Sequence, residues 1–107
     1  MTKSENPTAF SYVWEFQVAP EHVSAFEQAY GPEGDWAQLF RLHDGYLRTE
    51  LLRDVERPGR YFTIDYWRSQ ADRDDFRRRF SREFAALDTR CGYWTRAETH
   101  LGDFTLS

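Results

Sequence analysis

The clearest chemistry-bearing residues of this 107-residue chain alternate along one short segment. Tyr61, Thr63, Asp65 and Trp67 are two positions apart, so in a β-strand all four side chains would point to the same face. A carboxylate inside a sheet costs free energy unless it is hydrogen-bonded or paired. Asp65 is therefore a candidate general base for a phenolic or enolic proton, with a pKa raised by burial; the alternative is a structural ion pair with an arginine.

The remaining candidates lie on other predicted strands. Trp67 is either a pocket wall that stacks on a flat molecule or an ordinary core residue, and Trp14 offers a second such ring. His100 follows Glu98 by two residues and is either a proton-transfer group or an exposed or hydrogen-bonded histidine near the sheet edge. Glu98 and His100 are only two candidate ligands, too few for a transition-metal site, so we expect no metal. We assign catalytic candidacy to Asp65, Trp67 and His100.

Substrate contact is expected from the rings and the hydroxyl group on the same predicted faces. Trp14, Tyr61 and Thr63 are the candidate substrate-binding residues. The sequence has no glycine-rich phosphate loop and no Cys-x-x-Cys pair, and we predict no cofactor.

The periodicity of the chain places these residues on a small α+β fold. Alternating apolar residues predict strands over residues 10–18, 46–54, 60–68 and 93–104, and helical stripes predict helices over residues 20–30, after Asp35, and from Ser69 to about Cys91. Pro58-Gly59 suits the turn of a hairpin between the two middle strands. The order predicts a ferredoxin-like βαββαβ domain over residues 10–104, with a four-stranded antiparallel sheet. Residues 1–9 are predicted to be a disordered N-terminal tail.

Both faces of that sheet carry apolar side chains. Phe62, Ile64 and Tyr66 alternate with the row of Asp65. In the strand before it, Leu47 and Leu51 are expected to face one side and Tyr46 and Leu52 the other. Helices cover only one face, and leaving the second one wet would expose a large apolar patch. We therefore predict a homodimer that buries the second face.

Composition narrows the classes of partner and location. The net charge of −4 argues against nucleic-acid binding, and no segment reaches the roughly 18 apolar residues of a membrane span. The single cysteine fits a reducing, cytoplasmic location. Aromatic residues make up 18% of the chain, which suggests an interface, a ring-lined pocket for a small aromatic molecule, or both.

Several of these segments resemble the antibiotic biosynthesis monooxygenase group. Trp67 and Ser69 match the Trp-x-Ser end of that group's third strand, and Phe76 matches the early phenylalanine of the helix that follows. Gly45-Tyr46 and the final Leu101-Gly102-Asp103-Phe104 are also similar, and the resemblance spans residues 10–104. It implies a dimeric α+β barrel with a pocket between sheet and helices in each subunit. Some members oxidise polycyclic phenols with O₂ and no cofactor, and others bind and degrade haem.

The chain departs from both branches at individual positions. The haem-degrading branch has a histidine ten residues after the tryptophan, where this chain has Arg77, and its asparagine could be only Asn6 in the tail. Haem degradation is therefore not expected. The phenol-oxidising branch has an asparagine where this chain has Thr63. The leading hypothesis is a cofactor-independent monooxygenase-like protein acting on a small aromatic or enolisable substrate; the alternative is a non-catalytic dimeric module for binding small molecules or proteins.

Overall fold

A computed structural model of the chain describes residues 9–106. The strands are β1 (Phe10–Val18), β2 (Tyr46–Arg53), β3 (Arg60–Trp67) and β4 (Thr95–Thr105). The helices are α1 (Val23–Tyr30), α2 (Asp35–Phe40), α3 (Gln70–Arg79) and α4 (Ser81–Cys91), with single 3₁₀ turns at Pro20–His22 and Gly92–Trp94. Of the predicted disordered tail, residues 1–8 lie outside the described part. The carbonyl of Ala9 accepts a hydrogen bond from the N–H of Leu106 at 3.1 Å.

The four strands form one antiparallel sheet in the order β2-β3-β1-β4. The outer strands are β2 and β4, and each is reached from the preceding strand by a crossover that contains helices. The predicted α+β, ferredoxin-like fold is therefore confirmed. The hairpin turn includes Gly59 with φ at +85°, a conformation that glycine adopts without the steric cost of a side chain. Within residues 9–106, no helix combines the length and the apolar character needed to cross a bilayer.

One face of the sheet and the helices enclose an aromatic core. Burial alternates strictly along β3, where Tyr61 and Trp67 are almost inaccessible to solvent. Phe26 stacks on Tyr30 in α1 at 4.1 Å between ring centroids, and both rings contact Phe16 of β1. Trp67 lies at the other end of this core. The residues packed around it determine the shape of the site described below.

The single long helix predicted from Ser69 to about Cys91 is in fact two helices. Phe80 leaves the helical region, with φ −115° and ψ 31°, and it separates α3 from α4. The break allows α3 to bury Phe76 and α4 to bury Leu87, while the ring of Phe80 stacks on that of Phe76 at 5.3 Å. No glycine or proline marks the break, so packing alone produces it. Ser69 caps the start of α3, because its Oγ accepts the Asp72 N–H at 3.1 Å.

The face assignment predicted for β2 is wrong. A register shift between Tyr46 and Arg48 inserts an extra residue, so Tyr46 and Leu51 both pack towards the core while Leu47 and Leu52 are exposed. A bulge of this kind reverses the alternation of side chains on one side of it, which the period-two reading could not anticipate. The outer face of the sheet consequently carries Leu52 in addition to the apolar residues of β3.

Candidate active site

A cavity of about 590 Å³ lies between the sheet and the helices. This volume is within the usual range for small-molecule sites. The sheet contributes Tyr12, Trp14, Phe16, Thr49, Thr63, Asp65, Glu98, His100 and Asp103. The helices contribute Tyr30, Trp36, Phe40, Arg73, Asp74, Arg77, Phe84 and Asp88.

Strand pairing orders the sheet side of the cavity into two neighbouring rows. The first row runs across all four strands as Thr49, Asp65, Tyr12 and Asp103. The second row runs as Leu51, Thr63, Trp14 and His100. Directly opposed side chains in an antiparallel sheet are about 5 Å apart, so each row is a continuous strip of contacting groups. The first strip is polar and carries the carboxyl groups of Asp65 and Asp103. The second carries the ring of Trp14 beside the imidazole of His100.

Asp65 lies near the middle of the polar strip and is the most strongly perturbed acid of the site. The hydroxyl of Thr49 donates to its Oδ1 at 2.5 Å, and the hydroxyls of Tyr46 and Thr49 are 2.7 Å apart. Burial raises the pKa of Asp65 from 3.8 to about 7, while hydrogen bonds from Thr49 and Tyr12 oppose the rise. Near neutral pH the carboxyl group is therefore populated in both protonation states and can accept or release a proton.

No arginine forms the structural ion pair that was the alternative role for Asp65. All thirteen arginines lie within residues 9–106, and none of their salt bridges in that part of the chain involves Asp65. Arg73, which lines the cavity, instead pairs with Asp74 at 2.9 Å and lies over the ring of Tyr12. Burial, followed by the charge of Asp65, raises the pKa of the Tyr12 hydroxyl well above its ordinary value, so Tyr12 remains a neutral donor.

Trp67 is placed behind the cavity and does not line it. Its side chain is fully buried, with Phe40, Tyr46 and Phe76 in ring contact around it. The indole Nε1–H donates to the Tyr12 hydroxyl at 3.2 Å. Trp67 thus reaches Asp65 through Tyr12, as a group that holds a hydrogen-bond donor in place, and no surface of its ring faces the cavity.

Tyr61 also lies outside the cavity lining. It is buried, and its hydroxyl donates to the Glu27 carboxylate of α1. Trp14 and Thr63, the other two predicted substrate-binding residues, both line the cavity and are opposed across β1 and β3. The structure therefore brings Trp14, Thr63, Asp65 and His100 around one space and leaves Trp67 and Tyr61 in the surrounding core.

His100 lines the cavity from the edge strand β4. Its Nε2 is 2.8 Å from Asp103 Oδ1, and its ring is 5.2 Å from the ring of Trp14. Asp103 was not among the residues predicted from the sequence, because a regular strand would direct residues 100 and 103 to opposite faces. Gly102 was the available signal, since a glycine inside a strand often marks a bulge.

Tyr12 and Thr49 are the other functional candidates that the sequence analysis missed. The alternation in β1 places Tyr12 on the same face as Trp14, which would have been a sufficient signal for Tyr12. Thr49 gave no signal, because the bulge in β2 determines its face. Trp36 lines the cavity as well, and its buried Nε1–H lies near the Tyr30 hydroxyl and the Cys91 thiol but makes no hydrogen bond of normal geometry among the described residues. Among those residues no group of three or more His, Cys, Asp or Glu side chains could hold a metal ion.

Comparisons with known proteins agree with this architecture. SnoaB, a cofactor-independent oxygenase from Streptomyces nogalater, has a similar solved structure, with a TM-score of 0.68, 24% identity, and 94% of each chain covered. A protein from Caulobacter crescentus CB15 is similar with a TM-score of 0.76 and 17% identity, covering 95% of this chain and 92% of that one. At these identities the likeness establishes the fold. No curated protein sequence gives a significant match.

The family model described as antibiotic biosynthesis monooxygenase matches residues 9–87. The match includes the first three strands, α1 to α3 and the larger part of α4, together with Thr63, Asp65 and Trp67. It ends before β4, so His100 and Asp103 lie beyond the matched residues. Since the match covers well over half of the chain, the protein belongs to the antibiotic biosynthesis monooxygenase family.

Proposed function

We propose that the protein is a monooxygenase-like enzyme that needs no cofactor and oxidises a small aromatic or enolisable substrate. The observation that carries the proposal is the position of Asp65, a buried carboxyl group with a pKa of about 7 that lines a cavity rich in aromatic rings. Its hydrogen-bonding partners within residues 9–106 are neutral hydroxyls, so its charge is not already committed to an arginine. A base of this kind is matched to proton removal near neutral pH.

The reaction balances with O₂ as the only co-reactant. Asp65 takes a proton from an activated CH₂ group, and the carbanion transfers an electron to O₂. Recombination of the resulting radical pair forms a C–O bond and gives a peroxide anion. Protonation of the peroxide, loss of the second C–H proton and cleavage of the O–O bond yield a ketone and water. The protein supplies orientation and proton transfer, while the electrons come from the substrate.

The lining of the cavity fits a flat, mostly apolar molecule with a polar edge. Trp14, Phe16 and Phe84 supply ring surfaces from opposite sides, and Thr63 supplies a hydroxyl beside Asp65. The Trp36 Nε1–H would gain an acceptor if a carbonyl or phenolic oxygen of the substrate were bound near it. Family membership and the fold shared with SnoaB, itself a cofactor-independent oxygenase, support the same class of reaction.

Oxygen uptake with a panel of anthrone-like and quinol substrates tests the proposal. We expect wild-type uptake to rise with pH through about 7 as Asp65 ionises. The Asp65→Asn variant should lose about 10²-fold or more in kcat, because general-base catalysis contributes about that much. Asp44→Asn, which neutralises an exposed carboxylate outside the site, is the matched control and should retain wild-type rates.

Two results would contradict the proposal. An Asp65→Asn variant with wild-type kcat would exclude Asp65 as the base. Tight binding of the panel compounds without oxygen uptake by the wild type would favour the alternative, a non-catalytic module that binds small molecules.

The predicted cytoplasmic location rests on Cys91, which is a free and buried thiol, and it is proposed on that basis alone.

We also propose that the protein forms a homodimer through the outer face of its sheet. Ile64 lies at the centre of that face, and Leu52, Leu101 and Phe104 are 43–49% exposed apolar residues in the single chain. A second copy would cover this surface, and two-fold pairing is the commonest way to do so. Light scattering at micromolar concentration should give a dimer for the wild type and a monomer for Ile64→Glu. Val55→Glu, in the exposed β2–β3 loop, is the control; a monomeric wild type would refute the proposal.

A further inference from the structure

We propose that His100 and Asp103 form a second proton-transfer pair of the cavity, with His100 as the catalytic acid and base and Asp103 as its positioning residue. The assignment rests on the proposed oxygenation and adds to it a second proton donor for the peroxide, beside Asp65. Both residues lie in β4, outside the segment that matches the family model. Support for the pair therefore comes from the geometry of β4 and not from the family match.

The pair exists because β4 contains a bulge. Val13 of β1 is paired with Gly102, but the next residue, Trp14, is paired with His100, so Leu101 has no opposing residue in β1. The extra residue brings His100 and Asp103 to the same, cavity-facing side, although they are three positions apart. Bulges commonly re-aim a side chain beside an active site. Here the bulge joins an imidazole to a carboxylate at 2.8 Å.

The contact with Asp103 leaves one nitrogen of His100 available for chemistry. Because a carboxylate only accepts, the nitrogen that lies against Asp103 Oδ1, Nε2, carries the hydrogen. Nδ1 has no hydrogen-bond partner among the described residues and can accept or release a proton. Glu98 shares the cavity face of β4 but accepts a hydrogen bond from Thr95 at 2.8 Å. Asp103 is thus the carboxylate that orients the imidazole and balances its charge when it is protonated.

The position of His100 in the cavity suits the transfer of a proton to the peroxide. Its ring lies 5.2 Å from Trp14, the ring on which a flat substrate would rest. Asp65 is on β3, two strands away from β4 in the sheet, which corresponds to about 10 Å at the usual strand spacing. The carbon that Asp65 deprotonates is also the carbon that binds oxygen, so this one carbon must be within reach of both groups. Trp14 is on β1, which lies between β3 and β4, so a ring resting on Trp14 would have Asp65 on one side and His100 on the other.

The protons of the proposed step balance across the two groups. Asp65 removes the first C–H proton, and protonated His100 gives its Nδ1 proton to the peroxide anion, forming a hydroperoxide. Neutral His100 then takes the second C–H proton as the C=O bond forms and the O–O bond breaks. The hydroxide that leaves receives the proton held by Asp65 and becomes water. Both side chains return to their starting states, and one O₂ is consumed for each ketone and each water formed.

Chemical rescue of a His100→Ala variant tests the assignment. We expect kcat with an anthrone-like substrate to fall about 10²-fold with a smaller change in KM, since general acid–base groups contribute that much. Added imidazole should restore part of the rate, because the side chain of His100 is 44% exposed and its removal leaves an accessible space. Asp103→Asn should lower kcat less, and Asp103→Glu should recover part of the loss. His22→Ala, at the 3₁₀ turn before α1, is the control.

Wild-type kcat in His100→Ala, or a loss that imidazole cannot restore at any concentration, would overturn the proposal. Nitrogen NMR of the histidine rings distinguishes failure of the His100 assignment from failure of the proposed function. We expect a dominant Nε2–H tautomer of neutral His100, lost in Asp103→Asn, and a change at Nδ1 when 1,8-dihydroxyanthraquinone is added. If the wild type consumes no oxygen but this change occurs, the proposed function fails and the site at His100 is retained. An unperturbed His100 with the probe bound would place the pair outside the site.

Discussion

Replacing Asp65 with asparagine measures what the protein loses by burying this carboxyl group. The substitution keeps the shape of the side chain but removes its ability to ionise. In the native protein burial raises the pKa to about 7, whereas in the unfolded chain the group returns to about 3.8. Between these values the native state holds a proton that the unfolded state has lost. The free energy of unfolding of the wild type must therefore fall as the pH rises through this window.

The size of the effect follows from the pKa difference. Below about pH 4 the carboxyl is protonated in both states, and Asp65 lowers the stability no more than a neutral group would. Each pH unit above that lowers wild-type stability by about 1.4 kcal/mol, until the native carboxyl ionises near pH 7. Between the two pKa values, the free energy of unfolding of the wild type falls by about 4 kcal/mol in total. The full effect is expected because the group is buried and little screened by solvent. The asparagine variant has no such dependence.

Urea unfolding of both proteins, followed by tryptophan fluorescence at several pH values, gives the comparison directly. The stability of Asp65→Asn relative to wild type should rise by about 4 kcal/mol between about pH 4 and pH 8. All other titrating groups are common to both proteins and cancel in the difference. Any hydrogen bond lost from Thr49 or Tyr12 adds a constant that does not vary with pH. A difference that stays flat with pH would refute both the raised pKa and the general base built on it.

Three further substitutions test the surroundings of the site. Trp67→Phe should lower the free energy of unfolding by about 1–3 kcal/mol, since it removes the bond to Tyr12 and leaves a small void, and it should leave KM unchanged because the ring does not line the cavity. Ser69→Ala should cost about 1 kcal/mol through loss of the α3 cap, whereas Ser69→Asp should not. Gly59→Ala should cost about 1–2 kcal/mol, because φ is +85° there. Each is measured by urea unfolding at constant protein concentration.

The order of elements and the set of residues that share a face with Asp65 could be predicted because both depend on local periodicity. Alternation along β3 requires no knowledge of the partner strands, and its burial pattern in the structure is the expected one. The proline and glycine of the hairpin and the serine cap of α3 are likewise local signals. These features follow from the two-residue repeat of a strand, from turn geometry and from unsatisfied N–H groups at a helix start.

Features that depend on long-range pairing could not be predicted in this way. Periodicity places Asp65 and Trp67 on one face, but it gives no depth along that face. Rings from α2 and α3 close over Trp67 and leave Asp65 beside open space. The break at Phe80 similarly reflects packing of two helices on one core and has no residue of its own to mark it.

The amino-acid pattern alone defines a small α+β domain whose third strand carries a carboxylate on one face and apolar groups on the other. Which of these faces the helices cover, and which groups meet at the cavity, depends on the tertiary fold. Two bulges, in β2 and β4, bring Thr49 to Asp65 and Asp103 to His100. A bulge is a property of the pairing between two strands, and one extra residue reverses the side to which every following side chain points. For that reason the hydroxyl and carboxylate partners of the two candidate catalytic groups emerged only from the folded sheet.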